Sequence, residues 1–111
     1  MMHDLSLLFW LLVGHALADY PLQGNFMSYA KNRRISGNRD IWPGVLCSHG
    51  LIHGGFVYAI TGSLILGLLE TVAHCIIDDL KCSGALSFNQ GQAAHIGCKL
   101  VWLAFLPVGL A

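Results

Sequence analysis

Between Gly44 and Ile77 the chain carries a single charged residue, Glu70. One helix over that stretch would run to about 51 Å at 1.5 Å per residue, far more than the roughly 30 Å of a bilayer's hydrocarbon core. The stretch must double back, and Thr61-Gly62 at its midpoint has the turn chemistry to do so. Two helices are expected, at about 44–60 and 63–81. Upstream, Leu5 to Ala18 is apolar apart from Ser6 and His15 and predicts a helix over about 3–19. Downstream, a Ser-, Gly- and Asn-rich break at Lys81 to Gly91 precedes a last apolar run, about 92–110. Tyr20 to Pro43, with Pro21, Gly24, Gly37 and most of the basic residues, reads as a loop with a helical turn or two around Met27 to Arg33.

Composition decides what such helices face. Charged residues make up 11% of the 111 and apolar ones 55%, against roughly 25% charge in an ordinary soluble domain. A soluble domain of this size leaves about a third of its unfolded-chain surface in water, and this chain lacks the polar side chains to cover it. The expectation is an all-α, polytopic membrane protein, a single domain of four transmembrane helices packed as a bundle in the lipid bilayer. Zero net charge supplies no basic field for nucleic acid. Cys47, Cys75, Cys82 and Cys98 form no CxxC pair and read as small reduced apolar residues. Ala16-Leu17-Ala18 has the look of a signal-peptide cleavage site, but Met1-Met2-His3-Asp4 lacks the positive charge of a leader. A retained helix is expected.

Lys31, Arg33, Arg34 and Arg39 lie in the 20–43 loop, so the positive-inside rule places it in the cytoplasm and both termini outside. Trp10, Trp42 and Trp102 are expected among lipid-facing or belt aromatics. With that topology every helix brings ionisable residues to its cytoplasmic end. The first ends in His15 and Asp19, the second begins with His49 and His53, the third carries Glu70, His74 and Asp78, and the fourth Gln92, His95 and Lys99. Positions four apart share a helix face. Buried ionisable groups in a bilayer cost roughly 2.5–3.5 kcal/mol each at the helix centre, so they turn inward and pair.

Five histidines are thereby expected in one layer, with Glu70 and Lys99 as an interior ion pair in a second. One intramembrane histidine commonly serves as a hydrogen-bond donor between helices. A set of His15, His49, His53, His74 and His95 with Asp19 and Asp78 is instead a ligand set for a divalent metal, zinc first. Asp19 or Asp78 is the candidate general base, and Gln23 and Gln92 are candidate partners for the ligands' free nitrogens. His49-x3-His53 has Gly50 where a metalloprotease helix has Glu.

These residues also carry a resemblance. HALADYPLQGNFMSYAKN from His15 to Asn32, His49-x3-His53, HCIIDDLK from His74 to Lys81 and GQAAH ending at His95 resemble a family of small bacterial and bacteriophage integral membrane proteins known only as a domain of unknown function. The resemblance marks His15, Asp19, Gln23, Lys31, His49, His53, His74, Asp78, Lys81, Gln92 and His95. It implies a multi-pass protein of the bacterial inner membrane and no particular activity. The family usually has Asp where this chain has Gly91. Its pattern is reminiscent of a second membrane family described as metal-dependent hydrolases, an analogy of pattern alone.

Three functions follow as expectations. The first is a metal-dependent hydrolase acting at the interface on a lipid or amphipathic substrate; the second, a small proton- or ion-coupled transporter; the third, a non-catalytic phage accessory protein of the membrane. Oligomerisation is left open.

Overall fold

The computed structural model describes the backbone of residues 2–106 and the side chains from residue 4 onward. Among the described residues the chain is all-helical, with α1 Met2–Asp19, α2 Gly24–Ala30, a 3-10 turn Ser36–Asn38, α3 Trp42–Thr61, α4 Leu64–Cys82 and α5 Phe88–Phe105. The four long helices form a ring in which α1 meets α3 and α5, and α4 meets α3 and α5. The short α2 lies against α3.

The turn at 61–63 is built as its residues suggest. Gly62 takes a left-handed φ of 76° and returns its N–H to the Tyr58 carbonyl, and the Ser63 hydroxyl accepts from the Leu66 N–H to open α4. The antiparallel pair α3 and α4 is the tightest contact in the fold. A Cβ on Gly54 would stand 2.5 Å from the Gly67 carbonyl oxygen, so only glycine allows the two backbones to approach this closely.

The helical turns expected within the 20–43 loop are present as α2, which lies at 24–30, a few residues ahead of the expected Met27 to Arg33. Helix α5 begins at Phe88, ahead of the expected 92, because Ser87 and Gln90 form a reciprocal capping box across its first turn. The expected end of that helix, 107–110, lies outside the described residues.

The core is inverted. Buried apolar side chains among the described residues number seven, headed by Leu11, Val57, Leu66 and Trp102, against twelve buried polar or charged ones. Phe9, Leu51, Leu68, Val72, Ile76 and Leu100 stand exposed on the outside. No single helix among the described residues is long and apolar enough to cross a membrane. Asp4–Asp19 and Gly24–Ala30, bent by 82°, pass on length and composition only as a pair. The expectation of four individually spanning helices is therefore not met, because each long helix gives one face to His, Asp, Glu, Gln or Gly.

Candidate metal centre

The polar faces meet at one end of the ring. On α3 the buried positions are Leu46, His49, Gly50, His53, Gly54 and Val57, and on α4 Leu66, Gly67, Glu70, His74 and Asp78. On α5 they are Gly91, His95, Lys99 and Trp102. Each set recurs at three- and four-residue spacing, so the helical period alone aims the His and Asp side chains inward.

Asp19, at the end of α1, is the hub. Its Oδ1 lies 2.9 Å from His53 Nε2, 3.1 Å from His49 Nε2 and 3.6 Å from His74 Nε2. One ligand atom from each of Asp19, His49, His53 and His74 falls within 4.8 Å of the others, and all four residues are buried. Ligands held tetrahedrally at about 2.0–2.2 Å from a zinc ion stand roughly 3.3–3.6 Å apart; the His74 separation reaches that edge, while His53 and His49 stand closer to Asp19 Oδ1, at hydrogen-bond distance. His74 Nε2 supplies an independent test of fit: it is buried and has no hydrogen-bond partner. Leaving a ring nitrogen so placed costs about 1–3 kcal/mol, and a bound cation would satisfy it. The donor set therefore fits a divalent ion. Glu70, His74 and His95 form a second group of compatible spacing, but Lys99 Nζ stands 2.9 Å from the Glu70 carboxylate, placing positive charge where an ion would need none.

His15 belongs to neither group. Its Nε2 lies 2.7 Å from Gln92 Oε1, and an amide oxygen only accepts, so that nitrogen carries the proton. Gln92 in turn donates to Asp19 Oδ2 at 2.9 Å. His15 and Gln92 thus orient the hub. Asp78 is the second carboxylate. Its Oδ2 lies 3.3 Å from His49 Nε2 and 3.6 Å from His74 Nε2, and its Oδ1 is 3.1 Å from His95 Nε2. The rings of His53, His74 and His95 are stacked, with centroids 3.5 and 3.9 Å apart in succession.

Two residues read from the sequence in other roles enter this centre. Lys31, counted with the topology-setting charges, is 2% exposed and sets Nζ 2.6 Å from Asp78 Oδ2 while also donating to Gln23 Oε1. Gln23 donates to the Asp19 carbonyl at 3.0 Å, so α2 is pinned across the mouth. Trp102, expected to face lipid, is 7% exposed and its indole N–H donates to Glu70 Oε1 at 2.7 Å. The spacing Glu70, His74, Asp78 and His95, Lys99, Trp102 holds the signal for that placement. At the rim, Arg33 and Arg34 both reach Asp79 Oδ1 at 3.0 Å, and the Arg33 guanidinium lies over the Trp42 ring at 5.7 Å. Lys81 Nζ is 3.7 Å from Asp78 Oδ1. Its stem fills the space beside Gly91, where an added Cβ would meet Lys81 Cδ at 3.1 Å.

A family described as "Protein of unknown function (DUF3307)" matches residues 7–106. The chain belongs to that family. All the residues of the centre lie inside the matched span. Neither the curated proteins nor the solved structures gave a match.

Proposed function

We propose that this DUF3307 chain is a membrane-embedded bundle holding one divalent metal ion, zinc first among candidates, on Asp19, His49, His53 and His74. Its proposed reaction is hydrolysis of a lipid or other amphipathic substrate at the cytoplasmic interface. The observation that carries the reading is the convergence of four buried ligand atoms from three helices on one point. The ion would supply Lewis-acid activation of water. Asp78, 3.3 Å from His49 Nε2 and 3.6 Å from His74 Nε2 and paired with Lys31, would be the carboxylate available to accept a proton.

The membrane placement rests on the inverted core. Polar groups fill the inside while Phe9, Leu51, Leu68, Val72 and Ile76 face outward, an arrangement that water would penalise by about 25 cal/mol for every Å² of apolar surface left exposed. Helices of 18 to 20 residues extend about 27–30 Å, close to the hydrocarbon thickness, although none of them taken singly is long and apolar enough to cross it. The basic 20–43 segment then faces the cytoplasm.

The test is metal analysis of detergent-purified protein. One equivalent of zinc in the wild type, lost in His49→Ala/His53→Ala, supports the reading; a folded wild type that takes up no divalent metal ends it. A second reading, proton-coupled transport, is favoured by the buried series Lys31, Asp78, His74, Glu70, Lys99, in which the widest step is the 3.6 Å from Asp78 Oδ2 to His74 Nε2. Pyranine-loaded liposomes distinguish it, since only a transporter moves protons without a hydrolysable substrate.

A further inference from the structure

Of the three imidazoles in the tight ligand group, His74 alone meets a carboxylate through its second nitrogen: Nδ1 lies 3.2 Å from Glu70 Oε2. His49 Nδ1, by contrast, is buried without a partner. Glu70 is 1% exposed and already receives two other donors, Lys99 Nζ at 2.9 Å on Oε2 and the Trp102 indole N–H at 2.7 Å on Oε1. A carboxyl group surrounded by an ammonium and an indole N–H is an acceptor on both oxygens. The third contact must then be an N–H from His74 Nδ1.

Each imidazole carries one proton when neutral, so a proton on Nδ1 leaves Nε2 bare. That is the atom found 3.6 Å from both Asp19 Oδ1 and Asp78 Oδ2 with no hydrogen bond. We propose that Glu70, clamped by Lys99 and Trp102, is a positioning residue that fixes the Nδ1–H tautomer of His74 and presents its Nε2 lone pair to the metal. The inference rests on the metal reading above and adds the device that prepares one ligand before the ion arrives. The carboxylate also raises the basicity of the ring it holds. Glu70, His74 and Asp78 stand four residues apart on α4, so one helical face carries the orienting carboxylate, the ligand and the second carboxylate of the centre.

The experiment uses full-length protein in detergent, labelled with 15N-histidine and stripped of metal, with the His74 signals identified by their loss in His74→Gln. The expected result, at a pH where the His74 ring is neutral, is a protonated Nδ1 and a bare Nε2 in the metal-free wild type. Glu70→Gln, which offers one acceptor oxygen to three donors, is expected to weaken zinc binding by about 10–100-fold and to shift the His74 proton toward Nε2. Glu70→Asp, which keeps the carboxylate, recovers part of that loss. A wild type with the proton on His74 Nε2, or zinc binding unchanged in Glu70→Gln, overturns the inference while stoichiometric zinc in the wild type keeps the metal reading standing. If Glu70→Gln does not fold, the wild-type tautomer decides alone. A folded wild type that binds no zinc brings down the metal reading and this role with it.

Discussion

Lys31 and Asp78, 47 positions apart in the chain, form a salt bridge of 2.6 Å in which both side chains are almost wholly enclosed. Removing one partner of such a pair strands the other as a buried charge. Lys31→Met is therefore expected to destabilise the protein by about 3–5 kcal/mol, read from denaturant unfolding in mixed micelles. A loss under 1 kcal/mol, on the order seen for exposed pairs, would show that Asp78 finds its compensation elsewhere.

In the proposed metal site, the residues around Asp19 separate into those that would touch the ion and those that would orient them. Asp19→Ala should abolish stoichiometric zinc binding, whereas Gln92→Ala should leave the stoichiometry and weaken affinity by about 10–100-fold. Titration with a competing chelator measures both. Equal effects of the two substitutions would contradict the placement of Asp19 at the hub.

The α3–α4 contact makes a prediction independent of the centre. Gly54→Val must force the two helices apart, because its Cβ would already stand 2.5 Å from a backbone oxygen, while Gly55 has nothing within 4 Å. The first substitution is expected to cost about 1–3 kcal/mol and Gly55→Ala to be neutral or slightly stabilising. Thermal unfolding of the pair checks it. Similar melting temperatures for the two would count against so close a packing.

Ser36 is exposed in the segment between α2 and α3. In a background with the four native cysteines replaced, Ser36→Cys should react with an impermeant maleimide only after the cytoplasmic face is opened. Labelling from intact cells would reverse the proposed orientation, and recovery of the protein in the soluble fraction would remove the membrane placement itself.

The helical class and the convergence of the histidines were legible because both follow from one periodicity. His49 and His53, or Glu70, His74 and Asp78, cannot share a face with the exposed Leu51, Leu68 and Val72. The Thr61-Gly62 turn was legible from glycine alone. What was not legible was the assignment of individual atoms. Nothing in the spacing says that His15 would spend its Nε2 on Gln92, nor that Lys31 would leave a basic loop for a buried carboxylate. That second placement depends on α2, a helix of 7 residues, too short to show a hydrophobic period. Trp102 reads by residue type as a lipid-facing or belt aromatic, whereas its register with His95 and Lys99 turns it inward. The capping box at Ser87 and Gln90 was present in the sequence and simply outcompeted by the apolar run that follows it.

The interior has two storeys of different chemistry. At the end away from the Thr61-Gly62 turn, Asp19, His49, His74 and His95 tie all four long helices into one polar hoop, while toward that turn the helices meet through Leu11, Val57, Leu66 and Trp102. Lipid tails are as apolar as those four side chains, so in a bilayer no hydrophobic drive holds that end closed, only close packing. The bundle should breathe asymmetrically. Backbone amide protons near Val57 and Leu66 are expected to exchange with solvent deuterium sooner than those near His49 and His74, and splaying of the helices would begin at the greasy end and stop at the hoop.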